Sequence, residues 1–175
     1  MSKNTKNLAT SAILSALGVV ILFMGSIIQV LDLSMAVMAS IIIIYAMIEL
    51  RGGWPYLIFA VTSLLSLLLL PDKFAGVVYL GFAGYYPIAK FYFEKKLSRI
   101  VEWITKLAVF NIALTAIVFA SIYVLHLPSE EIGFGWIIYL LGNVVFIIYD
   151  LALTNLISFY FFKLRKRLGL GKNKK

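Results

Sequence analysis

Residues 64–96 read LLSLLLLPDKFAGVVYLGFAGYYPIAKFYFEKK, and this stretch decides the fold. An apolar run ends at Leu70, a polar turn of Pro71, Asp72 and Lys73 follows, and a second apolar run leads to a basic end. Because backbone groups in lipid have no water to bond, each arm must be a helix. The stretch therefore predicts a transmembrane helical hairpin whose basic end lies in the cytoplasm.

The composition of the whole chain agrees with a membrane protein. Of its 175 residues, 62% are apolar and 14% are charged, and the mean hydropathy is +0.98. Soluble domains have about 45–50% apolar and about 25% charged residues. The net charge of +8 comes from basic residues that flank apolar runs, which excludes a nucleic-acid-binding face. We expect an integral membrane protein that lies in the bilayer and binds no nucleic acid.

The apolar runs predict one all-α domain over residues 1–175, a bundle of six transmembrane helices. About 20 apolar residues cross a bilayer, and the expected spans are 8–28, 34–50, 54–70, 74–93, 107–125 and 136–162. Pro87 lies inside the fourth span and should kink it. Residues 94–106 are expected to form a cytoplasmic connection with a short amphipathic segment. A basic tail, residues 163–175, ends the chain.

The distribution of charge predicts the orientation of the bundle. With six spans, fifteen of the sixteen Lys and Arg residues fall on one side, and only Lys73 falls on the other. Basic residues are enriched in cytoplasmic loops. We therefore expect a multi-pass protein of the cell membrane with both termini in the cytoplasm.

Polar residues within the spans are few, and they mark candidate functional positions. Asp150 is the only acidic residue well inside a span, and Asn143 and Thr154 share its helical face. Asn111 in the fifth span is expected to meet Asp150 at a similar depth. Two interpretations of Asp150 stay open: a hydrogen bond between helices, or a carboxylate that binds a ligand or a proton.

Tyrosines form a second candidate group. Four lie along the fourth span and two lie near the outer ends of later spans: Tyr79, Tyr85, Tyr86, Tyr92, Tyr123 and Tyr139. Tyrosine is common at membrane interfaces, which suits Tyr92, Tyr123 and Tyr139. Tyr85 and Tyr86 lie in mid-span, where their hydroxyls either line a ligand pocket or pack against other helices.

Several kinds of chemistry have no matching residues. The chain has no cysteine and one histidine, His126, so we expect no metal site and no cofactor. Glu130 and Glu131 share a loop with His126, and a solvated loop explains all three. No glycine-rich phosphate loop and no serine nucleophile motif occur. We therefore do not expect an enzyme.

The first span carries small residues at a helical spacing. It reads KNLATSAILSALGVV, and Ala9, Ala12 and Ala16 lie on one face, where another helix can approach closely. With six short spans and both ends inside, this pattern resembles the substrate-binding S component of energy-coupling factor (ECF) transporters. The alanines four residues apart carry the resemblance in motif, and the topology carries it over the whole chain.

The resemblance implies a function and partners. The alanine face would dock on a transmembrane coupling subunit that joins two ATPase subunits, and the protein would bind a vitamin or another micronutrient. The substrate would lie near the outer side under the loop 29–33. The resemblance places its walls at Tyr79, Tyr123, Tyr139 and Asn143. An acidic outer surface, including Asp32, favours a neutral or cationic, partly aromatic small molecule.

A second interpretation belongs to another class of protein. Cell-shape proteins of the MreD type are also small and polytopic, and they act as scaffolds without transporting anything. In that case the alanine face and Asp150 are assembly contacts, and the mid-span tyrosines only pack. A ligand pocket distinguishes the two interpretations, because a scaffold does not need one.

Overall fold

The structure, a computed structural model, describes residues 2–50, 52–125 and 136–160, and these residues form helices and turns without any strand. The described residues contain seven α-helices, and a 3-10 turn, Gln29–Leu31, precedes the second. The helices are α1 Lys3–Ile27, α2 Asp32–Glu49, α3 Trp54–Leu69, α4 Phe74–Val78, α5 Tyr86–Lys96, α6 Arg99–Tyr123 and α7 Trp136–Phe159. A π-turn, Tyr79–Ala83, continues α4.

The helices account for six passes through the bundle. Four of them, α1, α2, α6 and α7, are long and apolar enough to cross a membrane. The third pass is the shorter apolar helix α3, and the fourth consists of α4, the π-turn and α5 together. The prediction of an all-α bundle is therefore confirmed. His126, Glu130, Glu131 and the tail 163–175 lie outside the described residues.

The predicted hairpin at residues 64–96 is present, and its turn is closed by two side chains. Nζ of Lys73 donates to the carbonyl oxygens of Leu68 at 3.2 Å and Leu70 at 2.5 Å, which caps the end of α3. Oδ1 of Asp72 accepts the backbone N–H of Phe74 at 2.9 Å and so starts α4. Each helix end at this turn therefore gains a side-chain partner for backbone groups that have none within the helix.

The fourth pass is broken before its proline. Pro87 lies in the first turn of α5, where the missing N–H removes no helical hydrogen bond. The irregular backbone lies upstream, in the π-turn and at Gly84. A Cβ atom at Gly84 would lie 2.7 Å from the Phe59 ring, so only glycine lets α3 approach this closely. The predicted kink is thus a break between two helices.

The prediction that residues 94–106 form a connection is wrong in its extent, because α6 already begins at Arg99. Only Leu97 and Ser98 separate it from α5. In the first turns of α6, the positions of apolar and ionic side chains are the reverse of those in a helix of a soluble protein. Ile100 is 76% exposed, whereas Lys106 is 1% exposed. Apolar side chains outside and ionic side chains inside suit a helix surrounded by lipid.

Asp32 also differs from its predicted place in an outer loop. It begins α2, and its side chain is buried. The close approach of α1 and α2 explains the burial, since a Cβ atom at Gly25 would lie 3.5 Å from Cα of Asp32. Asp32 therefore adds little to an acidic outer surface.

The packing of α1 against α2 and α3 uses a face of small side chains. Ser11, Ser15 and Gly18 are buried on this face. Oγ1 of Thr62 donates to the carbonyl oxygen of Ser15 at 3.4 Å. A Cβ atom at Gly18 would lie 3.0 Å from a Thr62 side-chain carbon. Small residues therefore determine how closely α1 and α3 approach each other.

One end of the bundle is fixed by contacts between the ends of α2 and α7. The hydroxyl of Tyr160 donates to Glu49 at 3.1 Å, and its ring lies edge-on to Tyr45 at 6.1 Å between centroids. The start of α3 and the connection 97–98 lie at this end too. We call it the basic end, because the sequence places Lys95, Lys96 and Arg99 there.

Candidate functional site

A group of buried charges lies between α5, α6 and α7, and Asp150 is at its centre. Asp150 is 2% exposed. Its Oδ1 atom accepts hydrogen bonds from the Tyr86 hydroxyl at 2.6 Å and from Nζ of Lys90 at 2.5 Å. Its Oδ2 atom accepts from Nζ of Lys106 at 3.1 Å. The carboxylate therefore joins three helices.

Two glutamates complete the group. Oε1 of Glu94 lies 2.6 Å from Nζ of Lys90 and 3.0 Å from Nζ of Lys106. Oε1 of Glu102 lies 2.6 Å from Nζ of Lys106. We call these six residues the ion cluster: Tyr86, Lys90, Glu94, Glu102, Lys106 and Asp150.

The sequence builds the ion cluster from helical spacings of four. Tyr86, Lys90 and Glu94 follow one face of α5, and Glu102 and Lys106 follow one face of α6. An unpaired charge inside a bilayer or a protein core is costly, so these faces must meet each other or water. Packing them against Asp150 of α7 meets this requirement.

The two lysines were not recognised as site residues from the sequence. Both were counted among the cytoplasmic charges, yet each is 1% exposed. A signal was available, because each Lys lies four residues from a Glu on consecutive helices, as Lys90 with Glu94 and Glu102 with Lys106. Paired spacings of opposite charge next to a span that holds an acid indicate a buried network.

Asn111 does not meet Asp150 as predicted. Instead, the side-chain amides of Asn111 and Asn143 bond each other in both directions, each at 3.0 Å. One turn further from the basic end, the hydroxyls of Thr115 and Tyr139 lie 3.1 Å apart. The prediction missed this because Asn143 is seven residues before Asp150 and offers Asn111 an equivalent amide. These four residues form a line of polar contacts between α6 and α7.

A cavity of about 430 Å³ opens beside the ion cluster at the basic end. Its charged lining comes from the cluster residues Glu94, Glu102, Lys106 and Asp150, together with Arg99. The Trp103 ring and two leucines, Leu97 and Leu151, supply apolar walls. Nζ of Lys106 lies 5.4 Å from the centre of the Trp103 ring. The volume falls in the range of small-molecule sites, about 300–1,000 Å³.

A second cavity, of about 500 Å³, lies between α2, α3, α5 and α7 at the same end. Its walls are mainly apolar, and they include Ile44, Met47 and Phe91. Two tyrosines at its edge, Tyr56 and Tyr92, share a hydrogen bond of 2.9 Å.

The six residues predicted to bind substrate are dispersed, and neither of these two cavities is lined by any of them. Tyr79 and Tyr86 are buried in different apolar clusters. Tyr85 is partly buried, and its ring contacts Phe59 edge-on. Tyr123 is 69% exposed. Tyr139 and Asn143 belong to the polar line between α6 and α7.

The three alanines predicted to dock a partner, Ala9, Ala12 and Ala16, are all exposed on α1. The small residues that this chain uses for its own packing lie on another face, at Ser11, Ser15 and Gly18. In the described residues, α1 therefore has one covered small face and one open small face.

Neither a metal site nor a known relative identifies the site. Within residues 2–50, 52–125 and 136–160, no group of three or more His, Cys, Asp or Glu residues could hold a metal ion. Comparisons with protein families, with curated proteins and with solved structures give no match to this chain.

Proposed function

We propose that this protein is the substrate-binding membrane subunit of an ECF-type uptake transporter for a vitamin or another micronutrient. It would lie in the cell membrane with both termini in the cytoplasm. A transmembrane coupling subunit and two ATPase subunits would be its partners. The observation that carries the proposal is the open alanine face of α1. Ala12 and Ala16 are exposed, although small residues elsewhere on the same helix are buried.

The open face supports docking because of what small residues do in lipid. Helices in a bilayer associate through close van der Waals contact, and alanine lets two backbones approach. A face that only met lipid would gain nothing from being small. On the neighbouring exposed face, α1 carries larger side chains, such as Ile13 and Leu17.

The polar line between α6 and α7 supports a substrate site toward the other end of the bundle. Asn111, Thr115, Tyr139 and Asn143 place amide and hydroxyl groups at a membrane interior, where such groups are rare. A small neutral or cationic molecule with hydrogen-bonding groups could exchange with these contacts. Tyr123 lies two turns beyond Thr115 on α6 and would border the entrance.

A scaffold of the MreD cell-shape type is the second candidate. It is favoured by the burial of Tyr79 and Tyr86, which are 1% and 0% exposed and fill the core. A scaffold would use the same alanine face, but for a different partner and without a substrate. The identity of the partner therefore separates the two functions.

Co-purification from native membranes tests the proposal. Tagged protein should recover a coupling protein with two ATPases, whereas recovery of cell-wall or cell-shape proteins would replace the transporter with the scaffold. Ala16→Phe should abolish recovery of the partner and leave the protein folded. Leu17→Phe is the matched control, because Leu17 is exposed and lies about 100° around the helix from Ala16. Equal loss in both variants would exclude the alanine face as the contact.

A further inference from the structure

We propose that the cavity beside the ion cluster binds an organic cation, a ligand that carries an ammonium or guanidinium group. The site would use Glu94 and Glu102 as its anionic groups and Trp103 as its aromatic wall. It lies at the basic end and is separate from the polar line that the proposed transport function uses. The proposal does not depend on that function.

The hydrogen-bonding capacity of the lysines determines the class of ligand. An ammonium group has three N–H donors. Nζ of Lys90 already contacts Oδ1 and the backbone oxygen of Asp150 and Oε1 of Glu94. Nζ of Lys106 already contacts Glu94, Glu102 and Asp150. A ligand that accepted hydrogen bonds from these lysines would have to break a buried ion pair.

The carboxylates, in contrast, keep acceptor capacity. The closest contacts of both lysines use Oε1 of Glu94 and Oε1 of Glu102. Oε2 of each glutamate is therefore available to a donor. The Glu94 side chain is 38% exposed and that of Glu102 is 15% exposed, so a ligand in the cavity can reach both.

The charge of the cluster points to the same class. It contains three carboxylates and two ammonium groups, which leaves one negative charge in excess, and the two glutamates are its partly exposed members. A bound cation would balance this charge, because Arg99, the other cation that lines the cavity, forms no ion pair with the described residues. Electron-rich aromatic faces attract cations, and Trp103 lines the cavity while Lys106 already lies over its ring. Leu97 and Leu151 would contact an apolar part of the ligand.

Arg99 provides a control, because its positive charge should affect cationic and anionic ligands in opposite directions. It lines the cavity, its side chain is exposed, and it forms no ion pair within the part of the chain that the structure describes. Arg99 would repel a cationic ligand and attract an anionic one. Because it is exposed and forms no ion pair with the described residues of the ion cluster, Arg99→Gln should fold as the original protein does.

The test measures binding of benzylamine to the full-length protein in detergent. Trp103 fluorescence is the readout, in a background where Trp54 and Trp136 are replaced with Phe. Benzylamine should quench Trp103, and benzyl alcohol, which has no charge, should bind at least about tenfold more weakly. Glu102→Gln should weaken benzylamine binding by about tenfold or more, since a charge-assisted contact is lost. Arg99→Gln should leave binding unchanged or strengthen it.

Three results would overturn the proposal. They are equal binding of benzyl alcohol and benzylamine, no effect of Glu102→Gln on a folded protein, and loss of binding in Arg99→Gln. Glu102→Gln must elute as the original protein does on size exclusion. If it does not, the Arg99→Gln variant alone tests the proposal. Loss of Arg99 should leave the affinity for a cation unchanged or raise it, whereas it should lower the affinity for an anion.

The native cation could be a small molecule or the chain's own tail. Residues 163–175 contain seven Lys and Arg residues and no acid. A full-length variant with these seven residues replaced by Gln distinguishes the two sources. Tighter benzylamine binding in that variant at about 0.5 M salt, where long-range repulsion is screened, would show that the tail competes for the site. Unchanged binding would exclude the tail as the occupant.

Discussion

Nζ of Lys106 lies 3.1 Å from Oδ2 of Asp150 and joins α6 to α7 through two side chains that are each at least 97% buried. Lys90 reaches the other oxygen of the same carboxylate from α5. Three helices are thereby held together by one acidic side chain. Both interpretations of Asp150 that the sequence left open are compatible with this contact, and the Asp150 variant below tests the first, a contact that holds helices together.

Asp150→Leu should strongly destabilise the protein. It removes the carboxylate that Lys90 and Lys106 share, and leaving a buried charge without its partner costs about 3–5 kcal/mol. The free energy of unfolding in detergent micelles measures this. The control is Asn155→Ala, since Asn155 is an exposed residue of the same helix. If both variants lose about 0.5 kcal/mol or less, the buried ion cluster does not hold the helices together.

The amides of Asn111 and Asn143 should show energetic coupling. Each single alanine variant leaves the other amide without its partner, whereas the double variant removes both. A double-mutant cycle on the free energy of unfolding should give a coupling of about 0.6–1.7 kcal/mol. A parallel cycle of Asn111 with Asn155 should give no coupling. Coupling of equal size in both cycles would contradict the paired amides.

The two small faces of α1 should respond differently to added bulk. Gly18→Leu should lower the free energy of unfolding by about 1–3 kcal/mol, because the new side chain meets Thr62. Ala16→Leu should change it by about 0.5 kcal/mol or less, since Ala16 is exposed. Chemical unfolding of the purified protein compares them. A larger loss for Ala16→Leu would place the alanines in the core of the bundle.

Gly84 should tolerate no side chain. Gly84→Ala should cost about 1–3 kcal/mol of folding stability, because a Cβ atom there lies 2.7 Å from Phe59 and 2.8 Å from Tyr79. Gly53→Ala is the matched control, since no atom lies within 4 Å of the added carbon. Thermal unfolding of both variants in the same detergent provides the measurement. Similar melting temperatures would show that α3 and the fourth pass do not approach so closely.

The passes through the bundle were predictable from apolar runs, because each run must form a helix in lipid. Their ends were less predictable. The charges at residues 94–106 suggested a loop, but Glu102 and Lys106 point inward and α6 continues to Arg99. The sequence analysis placed every lysine near the end of a span in water. Lys106 is buried instead, because Glu94 of α5 and Asp150 of α7 neutralise its charge.

The candidate site was only partly predictable. The sequence analysis identified both Asp150 and Tyr86 as candidates. In the structure, the Tyr86 hydroxyl lies 2.6 Å from Oδ1 of Asp150. Their contact could not be foreseen, because it depends on which faces of α5 and α7 meet. Likewise, α1 carries small residues on two faces, and nothing in the spacing of Ser15 and Ala16 says which one the chain itself covers.

The π-turn of the fourth pass has a consequence for helical phase. Tyr79 and Tyr86 are seven residues apart, a spacing that puts two side chains on one stripe of a regular α-helix. One additional residue in a turn rotates all later side chains by about 100°. Tyr79 accordingly packs with Val19 of α1, whereas Tyr86 reaches Asp150 of α7. Every polar contact of α5 depends on this offset, so a one-residue deletion within Tyr79–Ala83 would turn Tyr86 and Lys90 away from α7 together.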